Sequence, residues 1–345
     1  MNALGGEQVS TEADGGAPGA GALLRVHDLH VSFATPEGRR VHPVRGVDFD
    51  VRAGERVALV GESGCGKTTS VLAVMGLLPP NAEVHGSIRI ADTEVVGLGE
   101  HERRATRWRD VAMVFQGAMN SLNPVQQVGA QIAEPMTVHQ DVERRAARRR
   151  ACELLELVGI PTARATAFPH ELSGGMRQRA AIAMALACDP KLLIADEPTT
   201  ALDTMVQAQI FELLVRLTDE LGIGLLLVTH DLPIVMHFCD RAGVMYAGRM
   251  IESAPVDRLY HHPAHPYTQR LLAASPDLHT RESVQPIPGT PPRLDRTVVG
   301  CGFRDRCTVA VERCAQEDPS LIHVEREHDH RAACWRAPAA GEEQR

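Results

Sequence analysis

Residues 61–68 read Gly61-Glu62-Ser63-Gly64-Cys65-Gly66-Lys67-Thr68, a glycine-rich octet closed by a lysine and a hydroxyl. This is the spacing G-x-x-x-x-G-K-[ST], whose backbone N–H groups curl round phosphate oxygens. The glycines remove the Cβ atoms that would obstruct that approach. Lys67 is placed to reach the β/γ oxygens and the Thr68 hydroxyl to ligate Mg²⁺, with Thr69 beside them in the same nucleotide-binding set. A second feature is Leu192-Leu193-Ile194-Ala195-Asp196-Glu197, an apolar run ending in two acids. Asp196 suits Mg²⁺ through water, and Glu197 suits a general base that polarises an attacking water. Together they describe hydrolysis of a nucleoside triphosphate.

The cysteines suggest other chemistry. Cys301-x5-Cys307-x6-Cys314-x19-Cys334 crowds four of the eight into the last 45 residues. Four thiolates in so short a segment can hold Zn²⁺ or an iron–sulfur cluster, or can stay reduced and unliganded. The tight C-x₂₋₄-C pairs of most zinc sites are absent. Cys65 lies inside the phosphate loop, where a helix N-terminus lowers a thiol's pKa. That predicts a reactive thiol whose alkylation blocks ATP. His261, His262 and His265 sit in a proline-rich loop and read as ordinary loop histidines.

These residues need an α/β frame. Leu24–Phe33 and Val44–Val51 alternate like strands, and Arg56–Val60 is a short apolar strand running into Gly61. A helix is predicted from Lys67 to Leu78, stopped by Pro79-Pro80. Further strands are expected at Ser87–Ile90, Leu192–Ala195 and Leu225–Thr229. Helices are expected from Ser173 to Ala187, over Met205–Leu221 and over Leu232–Cys239. Strands alternating with helices imply a largely parallel sheet covered by helices. Residues from about 97 to 172 read as a helical subdomain, with an apolar face at Ala146, Cys152, Leu155 and Val158. The arginines of 144–150 read as its solvated side. Prolines beyond Pro255 break up long elements. The expected organisation is a tail over 1–22, a main domain over 23–255, a small cysteine-containing region over 256–337 and a tail over 338–345.

Bulk properties narrow the class. The 36 Lys and Arg against 44 Asp and Glu leave a net charge of −8, which argues against a nucleic-acid partner. No apolar run approaches about 18 residues, and residues 1–22 lack a signal-peptide pattern, so cytoplasm is the expected compartment.

Leu172-Ser173-Gly174-Gly175-Met176-Arg177-Gln178-Arg179, lying between the glycine loop and the acid pair, resembles the signature of ATP-binding-cassette (ABC) ATPases. The resemblance implies a P-loop NTPase, ABC-type nucleotide-binding fold with a helical subdomain. Gln116 resembles the Q-loop glutamine that touches Mg²⁺ and the transmembrane partner. Ala201-Leu202-Asp203 resembles the D-loop, His230 the switch histidine at the γ-phosphate, and Phe33 the aromatic that stacks on adenine. Ser173, Gly174 and Gly175 would then face ATP held by a second subunit, so that two chains sandwich two nucleotides.

The run PKLLIADEPTTALD, with His265-Pro266-Tyr267-Thr268 and Pro288-Gly289-Thr290-Pro291-Pro292, is similar to the oligopeptide/dipeptide/nickel importer ATPases and their D-type subunit. That group implies a motor for short-peptide uptake at the cytoplasmic face of the membrane. Its partners would be a different F-type ATPase, two permease subunits and, indirectly, a substrate-binding protein. Nickel or another small solute is the alternative cargo. In some relatives the cysteine segment holds a [4Fe–4S] cluster. One departure is Gly117, where an acidic residue usually follows the Q-loop glutamine. A soluble ABC ATPase acting on DNA or ribosomes is disfavoured by the lack of a long coiled coil or a second cassette. A module that has lost catalysis is disfavoured by intact Lys67, Gln116, Glu197 and His230.

Overall fold

The computed structural model describes residues 21–117, 121–200, 202–274, 286–324 and 329–337. The two expected tails therefore lie outside the described residues, except that a strand already begins at Ala22.

Strand β1 (Ala22–Ala34) pairs antiparallel with β2 (Arg40–Arg52) on one side and β4 (Ala82–Ile90) on the other. The two-residue β5 (Thr93–Glu94) completes a four-stranded sheet. The second sheet has eight strands among the described residues, in the order β11 (Ile322–His323), β12 (Arg331–Ala332), β10 (Arg249–Pro255), and then the five of its parallel centre. Its parallel centre is β9 (Arg241–Tyr246), β3 (Arg56–Val60), β8 (Gly224–Thr229), β7 (Leu192–Asp196) and β6 (Val111–Val114). Both faces of this centre are covered, so its strands are continuous apolar runs. Alternate residues feed two cores. Leu192, Ile194, Leu226 and Val228 join the layer against β1, β2 and α1 (Lys67–Val74). Leu193, Ala195, Leu225 and Leu227 join the helices on the opposite face.

The helices are α2 (Glu100–Thr106), α3 (Val128–His139), α4 (Arg144–Leu157), α5 (Gly174–Ala185), α6 (Thr204–Leu221) and α7 (Leu232–Phe238). Three sequence expectations are corrected. The stretch 97–172 is not wholly helical, since β6 lies within it and pairs in register with β7, Val111 opposite Leu192. Helix α1 stops at Val74 rather than Leu78. Gly76 takes φ 60°, its N–H donates to Ala73 O and Leu77 N–H to Leu72 O, a Schellman termination. In α4 the predicted Leu155, and Val158 at its end, are buried, but Ala146 and Cys152 are only half-buried, their places on the buried face being taken by Ala147 and Ala151, with Leu154. Arg144, Arg145, Arg148 and Arg149 are exposed, as expected.

The C-terminal region folds back on the same sheet. Strand β10 (Arg249–Pro255) leads to short helices α8 (Val256–His261), α9 (Pro266–Ala273) and α10 (Arg313–Gln316). Strands β11 (Ile322–His323) and β12 (Arg331–Ala332) then extend the sheet edge, with Glu252 opposite Ala332. Glu252 is fully buried and accepts from the Ala264 N–H at 2.6 Å and the His265 N–H at 3.0 Å, and its carboxylate lies 2.8 Å from His330 Nε2. A buried carboxylate needs such partners, and these close the region onto the main domain.

Candidate active site

The phosphate loop joins β3 to α1, at the carboxyl end of a central strand where ligands bind in α/β folds. Two of its glycines are sterically required. A Cβ on Gly61 would lie 2.2 Å from the Met245 carbonyl oxygen, and one on Gly66 would lie 2.2 Å from that of Pro43. Lys67 is buried and its Nζ donates to Gly61 O at 2.6 Å and Glu62 O at 3.1 Å. Ser63, Gly64 and Thr68 are exposed and Thr69 is half-buried. The Glu62 carboxylate is engaged by Arg306 from the C-terminal region.

Cys65 corrects the expectation of a reactive thiol. It is 5% exposed, and burial pushes its thiol up, outweighing the downward pull of Lys67, whose Nζ lies 3.7 Å from Sγ. The helix N-terminus is present, but desolvation of the thiolate prevails.

At the end of β7 the acids meet the loop. The Thr68 hydroxyl donates to Asp196 Oδ1 at 3.3 Å. Asp196 is 1% exposed, and burial holds its carboxyl above the ordinary range, with Thr68 pulling the other way. Glu197 has φ 43°, a left-handed conformation costly for a non-glycine residue. Its N–H donates to Val228 O at 2.8 Å, which anchors that turn. The Gln116 amide donates to Glu197 Oε2 at 2.8 Å, and His230 Nδ1 lies 3.2 Å from Oε1. Gln116, Glu197 and His230 thus gather at the adjoining ends of β6, β7 and β8. Sequence reasoning missed Thr200, whose hydroxyl donates to Glu197 Oε2 at 3.2 Å; a hydroxyl three residues beyond the acid was the available signal. Gly117 takes φ 68°, which a glycine adopts without strain, and a Cβ there would meet nothing within 4 Å. Residues 118–120 and Ala201 of the D-loop lie outside the described residues.

The signature residues open α5. Ser173 is exposed and caps the helix, its Oγ accepting from the Met176 N–H at 3.3 Å. Gly174 is half-buried. Gly175 packs so closely that a Cβ would lie 2.8 Å from Val206 Cγ1 on α6. Asp203, also exposed, caps α6 through the Val206 N–H at 3.0 Å. Phe33 is half-buried on β1 against the apolar layer that includes Cys65.

Cys301, Cys307, Cys314 and Cys334 are unpaired, half-buried and line one small cavity with Phe303 and Trp335. Burial pushes Cys301 up to about 11 and raises Cys334. Among the described residues no three His, Cys, Asp or Glu side chains are drawn in closely enough to hold a single metal ion. His265 is a buried helix cap, its Nδ1 accepting from the Tyr267 N–H at 3.0 Å. No helix among the described residues is long and apolar enough to cross a membrane.

The chain is similar in sequence and in fold to known proteins. The family model described as ABC transporter matches residues 44–200, and that of the oligopeptide/dipeptide transporter C-terminal region matches 251–314. An oligopeptide transport ATP-binding protein OppD of Mycobacterium bovis is 51% identical over 91% of this chain; the chain spans about half, 52%, of that relative's length. A probable peptide ABC transporter ATP-binding protein of Sinorhizobium fredii is 46% identical over 93% of this chain and 96% of its own. OppD of Bacillus subtilis is 46% identical over 89% of this chain and 87% of its own. A solved dimeric, post-hydrolysis ATP-binding cassette with ADP and Pi superposes with a TM-score of 0.61 at 28% identity, over 68% of this chain and 98% of that one.

Proposed function

The chain belongs to the ABC transporter ATP-binding proteins of the oligopeptide/dipeptide type, and from that premise we propose that it is the ATP-hydrolysing motor of a peptide importer. The observation that carries the reading is the hydrogen-bonded meeting of Gln116, Glu197 and His230 beside the Thr68–Asp196 pair. In this reading the phosphate-loop amides, Lys67 and Thr69 bind the triphosphate, and Phe33 stacks on adenine. Thr68, Gln116 and Asp196 would hold Mg²⁺, whose charge would offset that of the phosphates. Glu197 takes a proton from the attacking water, while Gln116, His230 and Thr200 orient its carboxylate. Ser173, Gly174, Gly175 and Asp203 complete the nucleotide site of a second ATPase subunit, a different F-type chain. Hydrolysis removes the phosphate that holds the pair together, a switch driven by unequal affinity for ATP and ADP.

Residues 23–255 form the motor domain and 256–337 the extension. The motor sits peripherally at the cytoplasmic face of the membrane and drives two permease subunits fed by a substrate-binding protein. Short peptides are the proposed cargo. We assign a [4Fe–4S] cluster to Cys301, Cys307, Cys314 and Cys334. The support is the donor chemistry alone: four unpaired thiols round one cavity, with no carboxylate lining it. There it would staple the extension, as metal binding does in small core-poor segments.

Glu197→Gln should retain ATP binding, trap the ATP-bound pair and lower kcat by about 10²-fold or more. Wild-type turnover by that variant would show that another group is the base. Iron and acid-labile sulfide assayed in the same anaerobic preparation test the thiol site; an iron-free, folded chain would remove the cluster.

A further inference from the structure

Two stretches that the nucleotide chemistry does not use, His265–Thr268 and Pro288–Pro292, converge on one phosphate-loop residue, Glu62. The Tyr267 hydroxyl accepts from the Glu62 N–H at 2.9 Å. Arg306 grips the Glu62 carboxylate with both terminal nitrogens, 2.7 Å to Oε2 and 2.9 Å to Oε1. Its remaining donors go to Pro288 O at 2.8 Å, Tyr246 OH at 3.1 Å and Ile287 O at 3.3 Å. All five N–H groups of the guanidinium are therefore used. The Arg306 side chain is 5% exposed, and its guanidinium carbon lies 5.7 Å from the Tyr246 ring centroid and 6.0 Å from that of Phe303. Gly289 lets the chain pass: a Cβ there would lie 3.3 Å from Arg306 Cγ.

This is a built site, and it lies on the loop that must accept a polyanion. A carboxylate within the phosphate loop repels the nucleotide unless something neutralises it. A buried, bidentate arginine does so, with a planar fork that lysine cannot reproduce. The Glu62 N–H belongs to the run of backbone groups that curls round phosphate, and a tyrosine anchored in α9 fixes it.

We propose that Arg306 and Tyr267 are positioning residues for ATP: they neutralise Glu62 and fix its backbone, so that the C-terminal extension sets the affinity of the phosphate loop. The extension is then part of the nucleotide site, coupled through the turn Arg304–Arg306 that separates Cys301 from Cys307. This rests on the reading of the chain as an ATP-driven motor.

The test is a double-mutant cycle on the full chain, with Mg·ATP binding measured by calorimetry and turnover measured with the permease complex. Arg306→Met should raise the ATP Kd and KM about tenfold and leave kcat within about twofold, the pattern of lost uniform binding. Adding Glu62→Gln should recover most of that affinity, because the charge needing neutralisation is gone. A purely structural arginine would give no such recovery. Tyr267→Phe, which keeps the aromatic packing, should raise Kd about threefold, as expected for one lost hydrogen bond. It carries the test if Arg306→Met does not fold. Wild-type affinity in Arg306→Met or in Tyr267→Phe, a fall in kcat with KM unchanged, or a double variant as weak as Arg306→Met would overturn the proposal. A wild-type chain that binds no ATP would instead overturn the motor reading beneath it.

Discussion

Glu197 shows how single residues carry the site. Its left-handed backbone is strained, and it persists because neighbours determine it from several sides: Val228 O on its N–H, and Gln116, Thr200 and His230 round its carboxylate. The residue types and their spacing were legible in the sequence, down to the acid pair and the hydroxyl after Lys67. Their solvation was not. Cys65 shows the difference: the helix N-terminus promised a low thiol pKa, and burial reversed it. The expected outcome is that Cys65 reacts slowly. In timed N-ethylmaleimide labelling at pH 7–8, read by peptide mass spectrometry, half-buried Cys152 should be modified well before Cys65, which should lag with Cys239, pushed up to about 12. Early labelling of Cys65, slowed by ATP, would restore the discarded view.

At the scale of elements, His265 holds the start of α9. It caps α9 only while Nδ1 is free to accept from Tyr267 N–H, and burial lowers its pKa to about 4. Glu252 pulls the other way, and His330 and Cys301 lie near it. The unfolded histidine titrates near 6.5, so the unfolded chain binds the extra proton first. Stability is complete above pH 6.5 and falls as pH drops from 6.5 towards 4, by about 3 kcal/mol at most. His265→Asn can still cap the helix and does not titrate. The Tm gap between wild type and His265→Asn should therefore move in the variant's favour across that window; a constant gap would show that His265 does not couple. The pattern around β3 and the start of α1 was readable because strand, glycine loop and helix follow one another locally. Strand β6 was not, because it lies in a continuous apolar run, Val111–Phe115 between Asp110 and Gln116, that has no period to display. Strands β11 and β12 have two residues each, and only their pairing, β12 with β10 and β11 with β12, makes them strands.

At the scale of the whole molecule, legibility depends on sequence separation. Glu62 and Arg306 stand 244 positions apart, and nothing in either local pattern announces the other. The signature is the opposite case: its motif is local, and its proposed consequence lies outside the chain. Ser173 and Asp203 cap two helices that meet at Gly175 and Val206, and both are exposed at that corner. A helix N-terminus open to solvent favours an anion, and the proposed anion is ATP carried by another subunit. Ser173→Arg should fill that surface while leaving the chain's own phosphate loop untouched. In the Glu197→Gln background, with the partner ATPase present, sedimentation should show ATP-dependent pairing lost and ATP binding to this chain retained. Losing the cap alone costs about 1 kcal/mol. Ser173→Ala serves as the control: it should lower Tm slightly and still pair. If Ser173→Arg pairs as tightly as Ser173→Ala when ATP is added, this corner is not the meeting surface, and the second half of the nucleotide site must be sought on another face.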